Sequence, residues 1–261
     1  MPMNRTRSQR LGDAKRLHEG FTLIELAIVL LIIALVIGGL LMPLSAQVDL
    51  RNISDTNKSL ADIREALLGF AVIKGRLPCP ADATKSTGTT GAGLEATNGS
   101  VCLNTSGAGV LPWATLGVNE TDAWGHRYTY RVKQEFALPV APGTANPCPN
   151  PPQPQYAVFG LCSVGNINIL PYVGGSQIAD TIPAVVISHG KNGNGAYTPD
   201  GTQLPAGSDA DEQDNQLTAG GTNMANLNIV SKTGTDTFDD LVTWISPNIL
   251  ANRMVTAGKL P

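Results

Sequence analysis

From Leu26 to Leu44 the chain carries no charged or polar side chain, and back to Phe21 only Thr22 and Glu25 interrupt the run. A helix rises about 1.5 Å per residue, so the stretch Phe21–Leu44 reaches about 36 Å. That exceeds the roughly 30 Å of a bilayer's hydrocarbon core. Such a run needs lipid, or other apolar helices, around its whole circumference. A carboxylate near one end is costly in that setting, so Glu25 calls for a functional explanation.

The flank sets the orientation. Residues 1–20 hold Arg5, Arg7, Arg10, Lys15 and Arg16 against Asp13 and Glu19, a net charge of +3. Basic residues beside a membrane helix stay cytoplasmic. The sequence therefore predicts a cytoplasmic leader over 1–20, a single inner-membrane pass over 21–45, and the remaining chain on the far side. A secretory signal peptide has a shorter apolar core, about 7–15 residues, with a small-x-small cleavage site. Here the run is too long and Leu44-Ser45-Ala46 is a poor cleavage match. A plain anchor fits length and orientation but leaves Glu25 unexplained.

Gly20-Phe21-Thr22-Leu23-Ile24-Glu25-Leu26 followed by an apolar run resembles the class III prepilin leader of type IV pilins and type II secretion pseudopilins. The resemblance implies that a membrane peptidase cuts between Gly20 and Phe21 and that the new terminal phenylalanine is N-methylated. It departs from the common pattern in the length of the leader and in Glu19 before the glycine. The chemistry explains the acid. Cleavage leaves an ammonium at Phe21, four residues from Glu25 and on the same helix face. An unpaired carboxylate in lipid costs several kcal/mol, so a positive partner is needed. In a filament of packed helices that partner is a neighbouring subunit's terminal amine, and Glu25 sets the axial register. The bland alternative is a Glu25 solvated at the headgroups. Gly38-Gly39 and Pro43 read either as a kink or unwinding point, or as ordinary tolerance in a membrane helix.

Past the membrane, Ile53, Leu60, Ile63, Leu67, Phe70 and Ala71 recur at helical steps, with Arg51, Asp55, Lys58, Asp62 and Glu65 between them. Gly75 and Pro78 end the pattern. One long helix from Phe21 to about Ile73 is expected, apolar all round over 21–45 and amphipathic over 46–75. A globular β-rich domain over 76–261 completes the chain. Thr84–Val110 is rich in Gly, Thr, Ser and Ala and reads as a long loop. His126–Val132, Tyr156–Leu161, Ile182–Ser188 and Leu241–Ile245 read as short strands, and Ala137–Pro154 as a proline-rich surface excursion. The expected fold class is α+β: a long N-terminal helix packed on a small antiparallel sheet of three to five strands with long loops. This is the architecture the pilin resemblance also implies. Asp122-Ala123-Trp124-Gly125-His126-Arg127-Tyr128-Thr129-Tyr130 is similar to the Asp-Pro-Trp-Gly…Tyr-x-Tyr stretch of major pseudopilins, with Ala123 in place of the proline. Ile182–Gly195 resembles the strand and glycine loop that follow it there. The loops are longer than in that subunit type.

Removing the leader's five basic and two acidic residues from 18 and 21 leaves 13 and 19, a net of −6. Residues 134–261 hold four basic and ten acidic side chains. Phosphate backbones want clustered Lys and Arg, so no nucleic-acid partner is expected.

Cys79, Cys102, Cys148 and Cys162 all fall beyond the membrane segment, with no paired C-x-x-C zinc signature. In an oxidising compartment an even set suggests disulfides. Of three connectivities, Cys79–Cys102 with Cys148–Cys162 is the simplest; unpaired buried thiols are the alternative. Asp209, Asp211, Glu212 and Asp214 crowd one glycine-flanked loop. Oxygen-rich loops suit calcium, and the resemblance to major pseudopilins implies a calcium loop near here, with Asp209, Asp211 and Asp214 as its ligands. A solvated acidic turn is the other reading, because the spacing is not that of an EF-hand. His18 lies in the leader, while His126 and His189 sit in strand or loop contexts. A Cys–His nucleophile pair such as Cys162 with His189 is conceivable, but no local signature supports one. No catalytic residue is expected.

The sequence thus reads as a structural subunit and not an enzyme. Its expected partners are a prepilin peptidase and methyltransferase, other pilin or pseudopilin subunits, and the inner membrane. Its expected locations are that membrane, the periplasm and a surface filament. A single-pass anchored periplasmic binding domain that never polymerises is the alternative.

Overall fold

The computed structural model describes residues 20–104, 106–140, 148, 156–221, 224 and 226–261, with backbone alone over 38–45. The leader expectations for residues 1–19, and most of the proline-rich excursion, lie outside the described residues.

One helix, α1 (Leu23–Lys74), carries the whole N-terminal pattern. It is helical through Gly38, Gly39 and Pro43. Gly75 ends it at φ +71°, its N–H bonded to the Ala71 carbonyl at 2.7 Å. A left-handed residue there is the common helix C-terminus, and only glycine takes it without strain. The chain divides into two compact units, residues 1–47 and 48–261.

In the first unit, Phe21, Leu23, Ile24, Leu26 and the apolar side chains from Ile28 to Ile37 are all exposed. Among the described residues no helix is long and apolar enough to cross a membrane. The expected span includes 38–45, whose side chains lie outside the described residues.

The second unit is layered. Over 48–74, α1 buries Thr56, Leu60, Ile63, Leu67, Leu68 and Ala71, the face its periodicity marks. Ile53 stays exposed, and Phe70 is half-buried under the Arg76 guanidinium. The first sheet contains β1 (Ala108–Val110) and β2 (Thr129–Val132). The second begins with β3 (Ile167–Leu170) and β4 (Ala179–Ile182). The first sheet then resumes with β5 (Ala184–Ser188), while β6 (Asn228–Val230) adds to the second and β7 (Leu241–Ile245) closes the first. Its order is β1-β2-β5-β7, antiparallel throughout, and the second runs β4-β3-β6. Among the described residues four shorter helices follow α1 in chain order: α2 (Trp113–Leu116), α3 (Gln134–Ala137), α4 (Ala210–Asn215) and the longer α5 (Pro247–Thr256).

Tyr128, Tyr130, Val132, Ala184 and Val186 share a core cluster with Leu60, Ile63, Leu67 and Ala71. Val185 and Ile187 join Ile167, Ile169, Ile182 and Ile229 in a second. The first sheet is therefore covered on both faces, by α1 and by the second sheet. This explains why β5 is an unbroken apolar run, buried at every position, instead of an alternating one.

The α+β class stands, with differences in detail. The second sheet is mixed, because β3 pairs parallel with β6. Ile182–Ser188 is two strands in two sheets, divided at Pro183, which has no N–H to continue a ladder. Tyr156–Leu161 is not a strand. Ala157–Gly160 is buried irregular chain whose Val158 N–H bonds to the Gly75 carbonyl at 2.9 Å. Short apolar runs look alike whether they are strands or packed loops. The disulfides are Cys79–Cys102 and Cys148–Cys162, with Cα separations of 5.4 and 5.8 Å.

Candidate functional site

The residues flanking the expected cleavage point, Gly20, Phe21 and Thr22, precede the first helical residue. Gly20 has no neighbouring atoms against its Cα face and Phe21 is 86% exposed. The Gly20–Phe21 peptide bond thus lies exposed, outside the helix. Helix α1 then starts with a reciprocal cap. The Glu25 N–H donates to Thr22 Oγ1 at 3.3 Å, and the Thr22 N–H donates to Glu25 Oε2 at 2.8 Å. The Thr22 hydroxyl also donates to Oε2, at 2.9 Å, and the Thr22 carbonyl accepts the first helical bond, from Leu26. This is the Thr-x-x-Glu capping box. It orients the carboxylate back over the helix N-terminus, where the macrodipole is positive. It also loads both bonds onto Oε2. Thr22 is the residue missed in reading the sequence, although its spacing to Glu25 was visible there.

The acidic loop is organised differently from the expectation. Asp209 is the N-terminal cap of α4, accepting from the Asp211 N–H at 2.9 Å and from Thr237 Oγ1 at 2.6 Å. That pairing with Thr237 leads the interactions that hold its carboxyl below the usual carboxylate range. Asp211 accepts from the Val173 N–H at 2.7 Å and pairs with Lys232. Asp214 accepts from Asn226 Nδ2 at 2.8 Å. These three carboxylates are each engaged with different partners, and the structure does not gather them. It gathers Glu212 with Asp239 and Asp240 instead. Nothing in the local sequence joins residue 212 to 239–240, so only the fold could bring them together.

The motif Asp122–Tyr130 is a turn that ties two strands. Asp122 Oδ1 accepts from the N–H groups of Trp124 and His126 at 3.0 and 2.9 Å, and its Oδ2 accepts from Ser188 Oγ at 2.6 Å. Thr56 Oγ1 of α1 accepts from the Ala123 N–H at 3.2 Å. His126 Nδ1 lies 3.1 Å from the Gly190 carbonyl, and His189 is buried with Nε2 2.8 Å from Thr129 Oγ1. Cys162 is committed to its disulfide and no cysteine is free, so no Cys–His nucleophile pair forms.

Residues 15–41 match the protein family described as the prokaryotic N-terminal methylation motif. The chain carries a class III prepilin leader. The leader match takes in Gly20, Phe21, Thr22 and Glu25, the residues built into the open bond and the cap. It is the leader of pilin- and pseudopilin-like prepilins, a class of structural subunits. No curated protein and no solved structure matches the chain.

Proposed function

We propose that the chain is the precursor of a filament subunit, cut after Gly20, N-methylated at Phe21, and polymerised through α1 into a type IV pilus or type II secretion pseudopilus. It is a substrate of the processing peptidase and methyltransferase and catalyses nothing itself. Before assembly its apolar helix half sits in the inner membrane, with the leader cytoplasmic and residues 48–261 periplasmic. The observation that carries this reading is the N-terminal geometry: an exposed Gly20–Phe21 bond one turn from a carboxylate held at the start of a helix whose first half is apolar. Cleavage there creates a cation within reach of that anion, on the same chain or the next. The exposed apolar side chains over 21–37 need a lipid or helical environment, which membrane and filament each supply.

The test is the mature N-terminus. Mass analysis of protein from cells should find methyl-Phe21; Met1 would favour a tethered binding domain instead. Glu25→Ala should insert in the membrane normally but fail to enter filaments. Normal incorporation of that variant would overturn the register role.

A further inference from the structure

Each sheet has two outer edges, and all but one of these are closed or broken up. On β1 the Val110 N–H and carbonyl both bond Ala81, at 3.2 and 2.9 Å, and Asn104 Nδ2 donates to the Ala108 carbonyl at 3.0 Å. On β6 the Asn215 side chain bonds the Val230 carbonyl and N–H at 3.0 and 2.8 Å. Asn226 Oδ1 accepts from the Asn228 N–H there at 2.7 Å. On β4, Asp180 is an exposed charge, Thr181 is left-handed at φ +53°, and the register with β3 shifts. Covering groups, charges and irregular backbone are the devices that stop a sheet from extending.

The remaining edge, β7, has none of them. Its residues Leu241-Val242-Thr243-Trp244-Ile245 are neutral, without proline or glycine, and the first four are only half-buried. The ladder fixes which backbone groups face outward. The Lys133 N–H donates to the Pro183 carbonyl at 2.9 Å, so residues 183, 185 and 187 turn their backbone groups toward β2. Residues 184, 186 and 188 then turn theirs toward β7, opposite Ile245, Thr243 and Leu241. Val242 and Trp244 therefore point their N–H and carbonyl groups away from β5. Among the described residues no protein group bonds them there.

Only extended backbone matches donors and acceptors that recur every second residue. A second copy of this chain does not supply it. Its other edges are closed, and a two-fold pairing of β7 with β7 runs residues 48–74 of the two helices in opposite directions. Copies anchored in one membrane run alike. This exclusion rests on the filament reading, whereas the open edge does not. Side chains narrow the partner further. Leu241, Thr243 and Ile245 line one face of the edge and Val242 and Trp244 the other, so β-branched or aromatic neighbours suit both. Residues 233–252 hold Asp236, Asp239 and Asp240 and no lysine or arginine. In antiparallel pairing those acids lie beside the C-terminal end of the incoming strand, which favours a basic residue there and repels an acidic one.

We infer that β7 accepts an extended segment of a different polypeptide as an added antiparallel strand, a short run of β-branched or aromatic residues followed by a basic one.

The test uses the full chain in detergent and a synthetic peptide of alternating valine and threonine that ends in two lysines. Amide hydrogen exchange at Val242, Thr243 and Trp244 is the readout. Near-saturating peptide should slow exchange at Val242 and Trp244 by about tenfold, with a much smaller change at Thr243, which already bonds β5. A peptide N-methylated throughout keeps the side chains but loses every donor, and should bind at least about tenfold more weakly. A version ending in two glutamates should also bind more weakly. Val242→Pro removes one outward N–H while leaving the β5 ladder intact, so it should fold and lose the response. The N-methylated peptide leaves the protein unaltered and covers the case where that variant fails to fold. No slowing at Val242 and Trp244 in millimolar peptide overturns the inference, as does equal binding of the N-methylated form. Slowing that grows with protein concentration in the absence of peptide gives the edge to a second copy. That result overturns the inference too, whatever residue the mature chain begins with.

Discussion

Arg127 uses all five of its guanidinium N–H groups inside the protein. Nε donates to Glu120 at 2.9 Å; Nη1 donates to the carbonyls of Ala83 and Lys85 at 3.0 and 2.9 Å; and Nη2 donates to Thr87 Oγ1 and the Pro199 carbonyl at 3.1 and 2.9 Å. The group stacks over Trp113 with its central carbon 4.6 Å from the ring centroid. One buried cation thus fastens three irregular segments that have little secondary structure of their own. Arg127→Met takes the guanidinium from the Ala83 and Lys85 carbonyls and leaves Glu120 with the Thr87 hydroxyl but no cation, and should cost about 3–5 kcal/mol, read by urea unfolding. Arg127→Lys keeps the charge but loses the planar fork, so it should fall between. A second pair gives a pH signature. Burial pushes the Glu95 carboxyl up, but two Arg76 bonds at 2.7 and 2.8 Å, the Arg76 charge and the Cys79 N–H outweigh it, and the net shift is downward from 4.5. A depressed folded pKa contributes stability that is complete above the ordinary value and is lost as pH falls through the folded one. Wild type should therefore lose melting temperature more steeply than Glu95→Gln as pH drops below 4.5. Parallel slopes would remove Glu95 from the account.

Elements differ in how plainly the sequence announced them. Helix α1 was legible in its apolar spacing and its Gly75 stop, both local signals; the Thr22–Glu25 cap is as local but was not read. The sheets were not legible. His126–Val132 reads as one strand, but β2 begins only at Thr129; Arg127 lies before it, enclosed by the irregular segments at Ala83–Thr87, Glu120 and Pro199, and is buried as fully as Tyr128. Strands β3 and β6 pair in parallel across about sixty residues, and no local pattern encodes a partner at that distance. The same limit hid Glu212 from Asp239 and Asp240, whereas the open Gly20–Phe21 bond and Glu25 lie within one turn and were readable. The cysteine pairing belongs to this scale too. Cys79–Cys102 closes a separation of 23 residues between the chain leaving α1 and the long loop before β1. Opening it by a double alanine substitution should cost about 3–4 kcal/mol in the chain-entropy account. Intact chain should gain the mass of four hydrogens on full reduction, and no gain on reduction would mean the thiols were never joined.

At the scale of the molecule, the two compact units meet very different physical requirements. Residues 48–261 contain both core clusters, both sheets and both disulfides. The described side chains of residues 21–37 contribute none of these, and they expose apolar surface along the N-terminal part of α1. Burying an apolar side chain yields about 1.5–3 kcal/mol, so more than ten unburied ones represent a large drive toward lipid or toward other helices. Stability of the globular unit and insertion of the apolar one should then be separable. A chain begun at Val48 should fold, stay soluble without detergent, and melt at the midpoint of the full-length protein. The full-length protein should require detergent. A large drop in midpoint on removing residues 1–47 would mean that the apolar half helps hold the globular unit together. An unchanged midpoint would assign that half wholly to membrane and filament.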